Sequence, residues 1–174
     1  MKKQSIKSRF GNRREAAAWR ANAVLQARVF AGGLEWGTVM KTILLLEDES
    51  SLMKLLSQML KRSGYKIWEA ANADDAIRRF REASGRIDLL LADVTLPAIS
   101  GIQVALWLRA EQPGLSVILT SGYPRTEWNA RDAADFERLG MRSVMVVQKP
   151  FQTQMLLSCI RLLTEAGTAV AEAG

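Results

Sequence analysis

Five short apolar runs alternate with five amphipathic segments between Thr42 and Leu163, and few folds accept that pattern. The first run, Thr42-Ile43-Leu44-Leu45-Leu46, stops abruptly at Glu47-Asp48-Glu49. Continuous apolar runs of this length read as strands buried on both faces. The next segment places Leu52, Leu55, Leu56, Met59 and Leu60 at helical spacing behind a Ser50 or Ser51 cap, and Gly64 closes it. The alternation repeats as strand 65–70, helix 73–83 with Ala76, Ile77 and Phe80 inward, and strand 87–92 ending at Asp93. It continues as helix 101–111 stopped by Pro113-Gly114, strand 115–120, helix 127–139 followed by Gly140, strand 144–147, and helix 152–163. In the last helix Met155, Leu156, Cys159, Ile160 and Leu163 should face inward, with Cys159 in the core. Strict alternation with short connections implies right-handed crossovers. The expected fold is α/β, a doubly wound five-stranded parallel sheet of the flavodoxin-like (β/α)5 kind.

With 48% hydrophobic residues in 174, the chain can bury one sizeable core. The sequence contains no histidine, which excludes a Ser-His-Asp triad, an imidazole metal site and an internal phosphohistidine. A single cysteine, Cys159, excludes an internal disulfide and a thiolate cluster, in keeping with an expected cytoplasmic location. No apolar run approaches the ~20 residues of a membrane span, so no membrane contact is expected.

The +6 charge is local. Residues 1–40 hold eight of the 24 Lys and Arg residues and two of the 18 acids, which leaves the remainder neutral. Residues 1–39 are therefore expected to be a basic extension, disordered or an over-long start, with contact to nucleic acid or another acidic surface as the alternative. Residues 40–165 form the expected domain and 166–174 a short tail. With no output domain after it, the domain is expected to stand alone.

Ligands of doubly wound sheets bind outside the carboxyl ends of the strands, where strand order reverses. Those ends carry Glu47-Asp48, Asp93, Thr120-Ser121-Gly122 and Gln148-Lys149-Pro150. Crowded carboxylates raise one another's pKa and stay ionised together only around a cation. Hard oxygen donors with room for water favour Mg²⁺. Asp93 would then be a nucleophile toward a phosphoryl group, with Lys149 a point charge for one of its oxygens and the Ser121 hydroxyl a donor to another.

The segments Leu46-Glu47-Asp48-Glu49, Asp93-Val94-Thr95-Leu96-Pro97 followed by Gly101, Thr120-Ser121-Gly122-Tyr123 and Lys149-Pro150-Phe151 resemble the receiver domain of two-component response regulators. The resemblance runs from about Met40 to Leu163, in the family's order. It implies that Glu47 and Asp48 are the acidic pair around Mg²⁺ and that Asp93 is the phosphoacceptor. It further implies that Thr95 contributes a backbone carbonyl to the metal, that Ser121 is the switch hydroxyl, that Lys149 binds phosphate, and that the bond before Pro150 is cis. Two features depart from the family's pattern. Val146 stands where an aromatic switch residue is usual, so a signal would pass through backbone movement or through Tyr123. Ser121 and Lys149 are 28 residues apart, several more than usual, which lengthens the stretch 124–132 around Trp128. Trp128 is either a partner anchor or the loop's own packing.

The expected function is a phosphorylation-dependent switch. The phosphoryl donor would be a sensor histidine kinase or a phosphotransfer protein, and output would be contact with a further, unknown protein. No enzymatic activity is expected beyond the domain's own phosphorylation and dephosphorylation. The alternative is a receiver-like binding module that does not use phosphorylation. Two enzymes on the same fold fit poorly. A flavin carrier needs a hydroxyl- and glycine-rich loop where Glu47-Asp48-Glu49 stands, and an aspartate-nucleophile phosphatase carries its Asp-x-Asp after the first strand.

Overall fold

The structure is a computed structural model that describes residues 40–84, 86–141 and 143–171. The basic extension 1–39 lies outside the described residues. Five strands are present among them: β1 Thr42–Leu46, β2 Lys66–Ala70, β3 Leu89–Asp93, β4 Ser116–Ser121 and β5 Val144–Gln148. The helices between and after them are α1 Ser50–Arg62, α2 Ala73–Glu82, α3 Gly101–Glu111, α4 Ala130–Leu139 and α5 Thr153–Ala171. All pairings are parallel, in the order β2-β1-β3-β4-β5. The chain thus leaves β1 toward one edge and returns to its other side, so the switch point lies between the carboxyl ends of β1 and β3.

Every residue of β1, β3 and β4 is buried, as continuous apolar runs require between two helical layers. One face packs Ile43, Leu45, Leu89, Leu91 and Ile118 against Leu56 and Leu60 of α1 and Leu156 and Ile160 of α5. The other packs Leu44, Leu46, Leu90 and Leu119 against Phe80 of α2, Ile102 and Leu108 of α3 and Phe136 of α4. No helix among the described residues is long and apolar enough to cross a membrane.

Several boundaries and faces differ from the sequence reading. Helix α1 is capped by Glu49, whose carbonyl takes the Met53 N–H at 2.9 Å, rather than by a serine. Its buried stripe runs through Met53, Leu56, Ser57 and Leu60, which leaves Leu55 64% exposed. Ser57 can lie inward because its hydroxyl donates to the Glu69 carboxylate. In α5, Leu156, Leu157 and Ile160 are buried, Met155 is exposed, and Cys159 is half-buried against the core. That helix runs on to Ala171, through a stretch without proline. The expected single helix over 127–139 is instead a 3₁₀ turn, Arg125–Glu127, followed by α4. Asn129 forces the break, because its side chain accepts the Asp132 N–H at 2.8 Å and sets the helix start.

Candidate functional site

Strands β1, β3, β4 and β5 each deliver a polar end to one rim. At the end of β1 the chain turns from Leu46, 0% exposed, into Glu47, which is 2% exposed, while Asp48 is open to solvent. Asp93 ends β3 and is 8% exposed. Beyond the strands two backbone bonds carry the alignment onward: Val94 N–H to the Thr120 carbonyl at 2.8 Å, and Lys149 N–H to the Ser121 carbonyl at 2.7 Å. The Lys149–Pro150 bond is cis, as the resemblance implies.

Lys149 ties the rim together. Its ammonium donates to Asp93 Oδ2 at 2.5 Å and to Glu47 Oε2 at 2.9 Å. The other Asp93 oxygen accepts the Thr95 N–H at 3.0 Å, and Glu47 Oε1 accepts the Glu49 N–H at 3.4 Å. Burial pushes the Glu47 carboxyl above its ordinary range, and the bond from Lys149 only partly offsets this. Burial works against the Lys149 ammonium too, but its bonds to Asp93 and Glu47 outweigh that and hold its pKa above the usual lysine value. Glu47, Asp48 and Asp93 each offer a carboxylate oxygen, and these lie within 4.8 Å of one another. Three hard donors, one of them exposed, fit a divalent cation on an open rim.

Gly101 shapes the site without touching its chemistry. The first turn of α3 lies so close beneath β3 that a Cβ at Gly101 would sit 2.1 Å from the Asp93 carbonyl oxygen and 3.1 Å from the Ala92 Cβ. Only glycine lets the helix approach there. In the sequence Gly101 was one member of a motif, and no spacing revealed this contact.

The end of β4 is different. The Thr120 hydroxyl donates to the Ala92 carbonyl at 3.4 Å inside the sheet. Ser121, 0% exposed, donates its hydroxyl to the Tyr123 carbonyl at 2.8 Å. It accepts the Tyr123 N–H at 3.1 Å and the Trp128 indole N–H at 3.2 Å. Trp128 also meets the Phe136 ring edge-on, with centroids 5.4 Å apart. Trp128 therefore packs within its own domain. Sequence reasoning had marked Ser121 and Trp128 separately, and only the lengthened stretch between Ser121 and Lys149 hinted at a link.

The receiver-domain geometry has direct counterparts. The response regulator receiver domain family matches residues 43–161. The response regulator receiver protein CpdR of Brucella abortus is 29% identical over 119 residues, 68% of this chain and 92% of that protein. A cyclic di-GMP phosphodiesterase of Thermotoga maritima is 36% identical over 86 residues, 49% of this chain but only 22% of that relative's length. Among solved structures, the response regulator TrrA of Thermotoga maritima, in complex with Mg(2+)-BeF, superposes with a TM-score of 0.59. It is 29% identical, covering 71% of this chain and 99% of that one. Fold, rim and sequence agree: the chain belongs to the response regulator receiver domain family of two-component signalling.

Proposed function

We propose that this receiver is a phosphorylation-dependent switch in which Asp93 accepts the phosphoryl group. The observation that carries the reading is the position of Asp93: it is nearly buried at a strand end, 2.5 Å from the Lys149 ammonium and within 4.8 Å of the Glu47 and Asp48 oxygens. A buried aspartate so placed is held in one rotamer by the Thr95 N–H on one oxygen and by Lys149 on the other. Positioning and charge neutralisation are most of what phosphoryl transfer needs.

Glu47, Asp48 and Asp93, with the Thr95 backbone carbonyl, would hold Mg²⁺. The ion supplies charge neutralisation for the carboxylates and for the phosphoryl oxygens. The chain supplies the rest. An Asp93 carboxylate oxygen attacks phosphorus, the bond to the donor's imidazole nitrogen breaks, and the imidazole leaves with that electron pair. Lys149 stays beside the new phosphoryl group as its counter-charge, and Ser121 provides a hydroxyl donor. The 174 residues hold no histidine, so the donor histidine lies outside them, on a histidine kinase or phosphotransfer protein. Output is by protein contact.

Incubation with acetyl phosphate, read by intact mass, tests this. The expected result is a gain of one phosphoryl group that needs Mg²⁺ and is lost in Asp93→Ala. No gain in the native protein, or an equal gain in the variant, would favour a receiver-like binding module that works without phosphorylation.

A further inference from the structure

A hydroxyl has one proton to give and accepts two hydrogen bonds, and Ser121 uses all three. It donates to the Tyr123 carbonyl and accepts from the Tyr123 N–H and from the Trp128 indole N–H. The side chain is fully buried, at a strand end whose backbone is bonded to Val94 on one side and to Lys149 on the other. Ser121 therefore cannot donate to an oxygen above Asp93 while it still donates to Tyr123. Turning about χ1 moves the oxygen itself, and the Trp128 N–H then loses its acceptor.

Trp128 is placed to pass that loss on. It precedes Asn129, the cap of α4, and its ring packs on Phe136, which is 2% exposed within the same helix. Trp128 and Val146 pack against the same face of the core. The indole thus reaches the switch hydroxyl from the β4–α4 stretch, on the face of the core that also carries the small side chain of Val146. Trp128 also lines a surface cleft of about 410 Å³ with Leu96, Tyr123 and Glu127. The indole therefore touches both the first turns of α4 and the wall of that cleft.

We propose that Trp128 is the positioning residue that holds Ser121 in its resting orientation and reads its release. Its indole N–H is bonded to Ser121 while Asp93 is unmodified and is freed when the hydroxyl turns toward a phosphoryl group. The proposal rests on Asp93 being the phosphoacceptor. It predicts two behaviours that structural packing alone would not give. Freeing the hydroxyl in advance should favour the modified state, and the indole signal should follow the chemistry at Asp93.

The test uses the full chain, ¹⁵N-labelled at tryptophan, with Mg²⁺ and beryllofluoride as the phosphoryl mimic. Trp128→Phe, which keeps an aromatic ring and removes the N–H, identifies the Trp128 indole resonance. That resonance should move upfield and exchange faster with water on adding the mimic. In Ser121→Ala it should stand at the released position before any addition and stay there afterwards. Trp128→Phe should bind beryllofluoride about five-fold more tightly, the worth of one ordinary hydrogen bond. A ¹⁹F signal from bound beryllofluoride reports occupancy of the site independently. Occupancy with an unmoved indole resonance, or unchanged or weaker binding by Trp128→Phe, overturns the role of Trp128 alone. No bound fluoride signal at all overturns the phosphoacceptor reading together with this one.

Discussion

The rim formed by β1, β3 and β5 and the stretch that follows β4 meet at one site but are built differently. In the rim, Lys149 reaches Asp93 across 56 residues of sequence and Glu47 across 102. Hydrogen-bonded parallel strands beneath it, β1 and β3 fully buried, fix those distances, and the interactions are charged. At the end of β4, Ser121 is held by Tyr123 two residues on and by Trp128 seven residues on. Those bonds are neutral and local, and they lie in an irregular segment with one 3₁₀ turn. Long-range charges on a rigid sheet keep a reaction geometry constant. Local neutral bonds of about 1 kcal/mol each can be exchanged for a charge-assisted one. The first region suits the proposed chemistry and the second suits a response to it.

Substitutions that break this contrast should have unequal effects. Asp93→Asn removes the proposed nucleophile but keeps the shape of the side chain, so acetyl phosphate labelling should fall to background, read by intact mass. Lys149→Met leaves two carboxylates without their shared cation, and the labelling rate should fall about 10²–10³-fold. Gly101→Ala pushes a methyl group against the Asp93 carbonyl. It should destabilise the fold by about 1–3 kcal/mol in urea and weaken beryllofluoride binding, although Gly101 bears no functional group.

A smaller effect sharpens the charged half of the comparison. The Lys149 pKa is raised in the folded state, so its contribution to stability is complete below the ordinary lysine value of 10.5. It is lost as pH rises through the folded value above that. Urea midpoints of the native protein and Lys149→Met should therefore converge as pH climbs past 10.5. A constant difference across that window would show that Lys149 contributes through packing rather than charge.

Strands β1, β3 and β4 were legible because apolar runs of five or six residues, too short for helices and bounded by polar turns, fit strands covered on both faces. The rim was legible for a related reason: acids and a lysine at strand ends have few places to go but the switch point. Helix faces were harder. Leu55 and Met155 match the helical period as well as their neighbours do, and only the packed structure shows that the buried stripes run through Met53 and Leu157. The break before α4 escaped because a continuous helical pattern outweighed one Asn cap. The bond from Trp128 to Ser121 was invisible for a deeper reason. An indole looks the same in sequence whether it packs, anchors a partner or donates a proton, and only its surroundings decide.

Trapping the acyl phosphate is the most direct test of the central claim. After incubation with acetyl phosphate and Mg²⁺, borohydride reduction converts a phosphorylated aspartate to homoserine, and peptide sequencing locates it. Homoserine is expected at position 93 and at no other acid, and none when Mg²⁺ is removed by chelation. Homoserine at Asp48 or elsewhere, or its formation at 93 without a divalent ion, would contradict it.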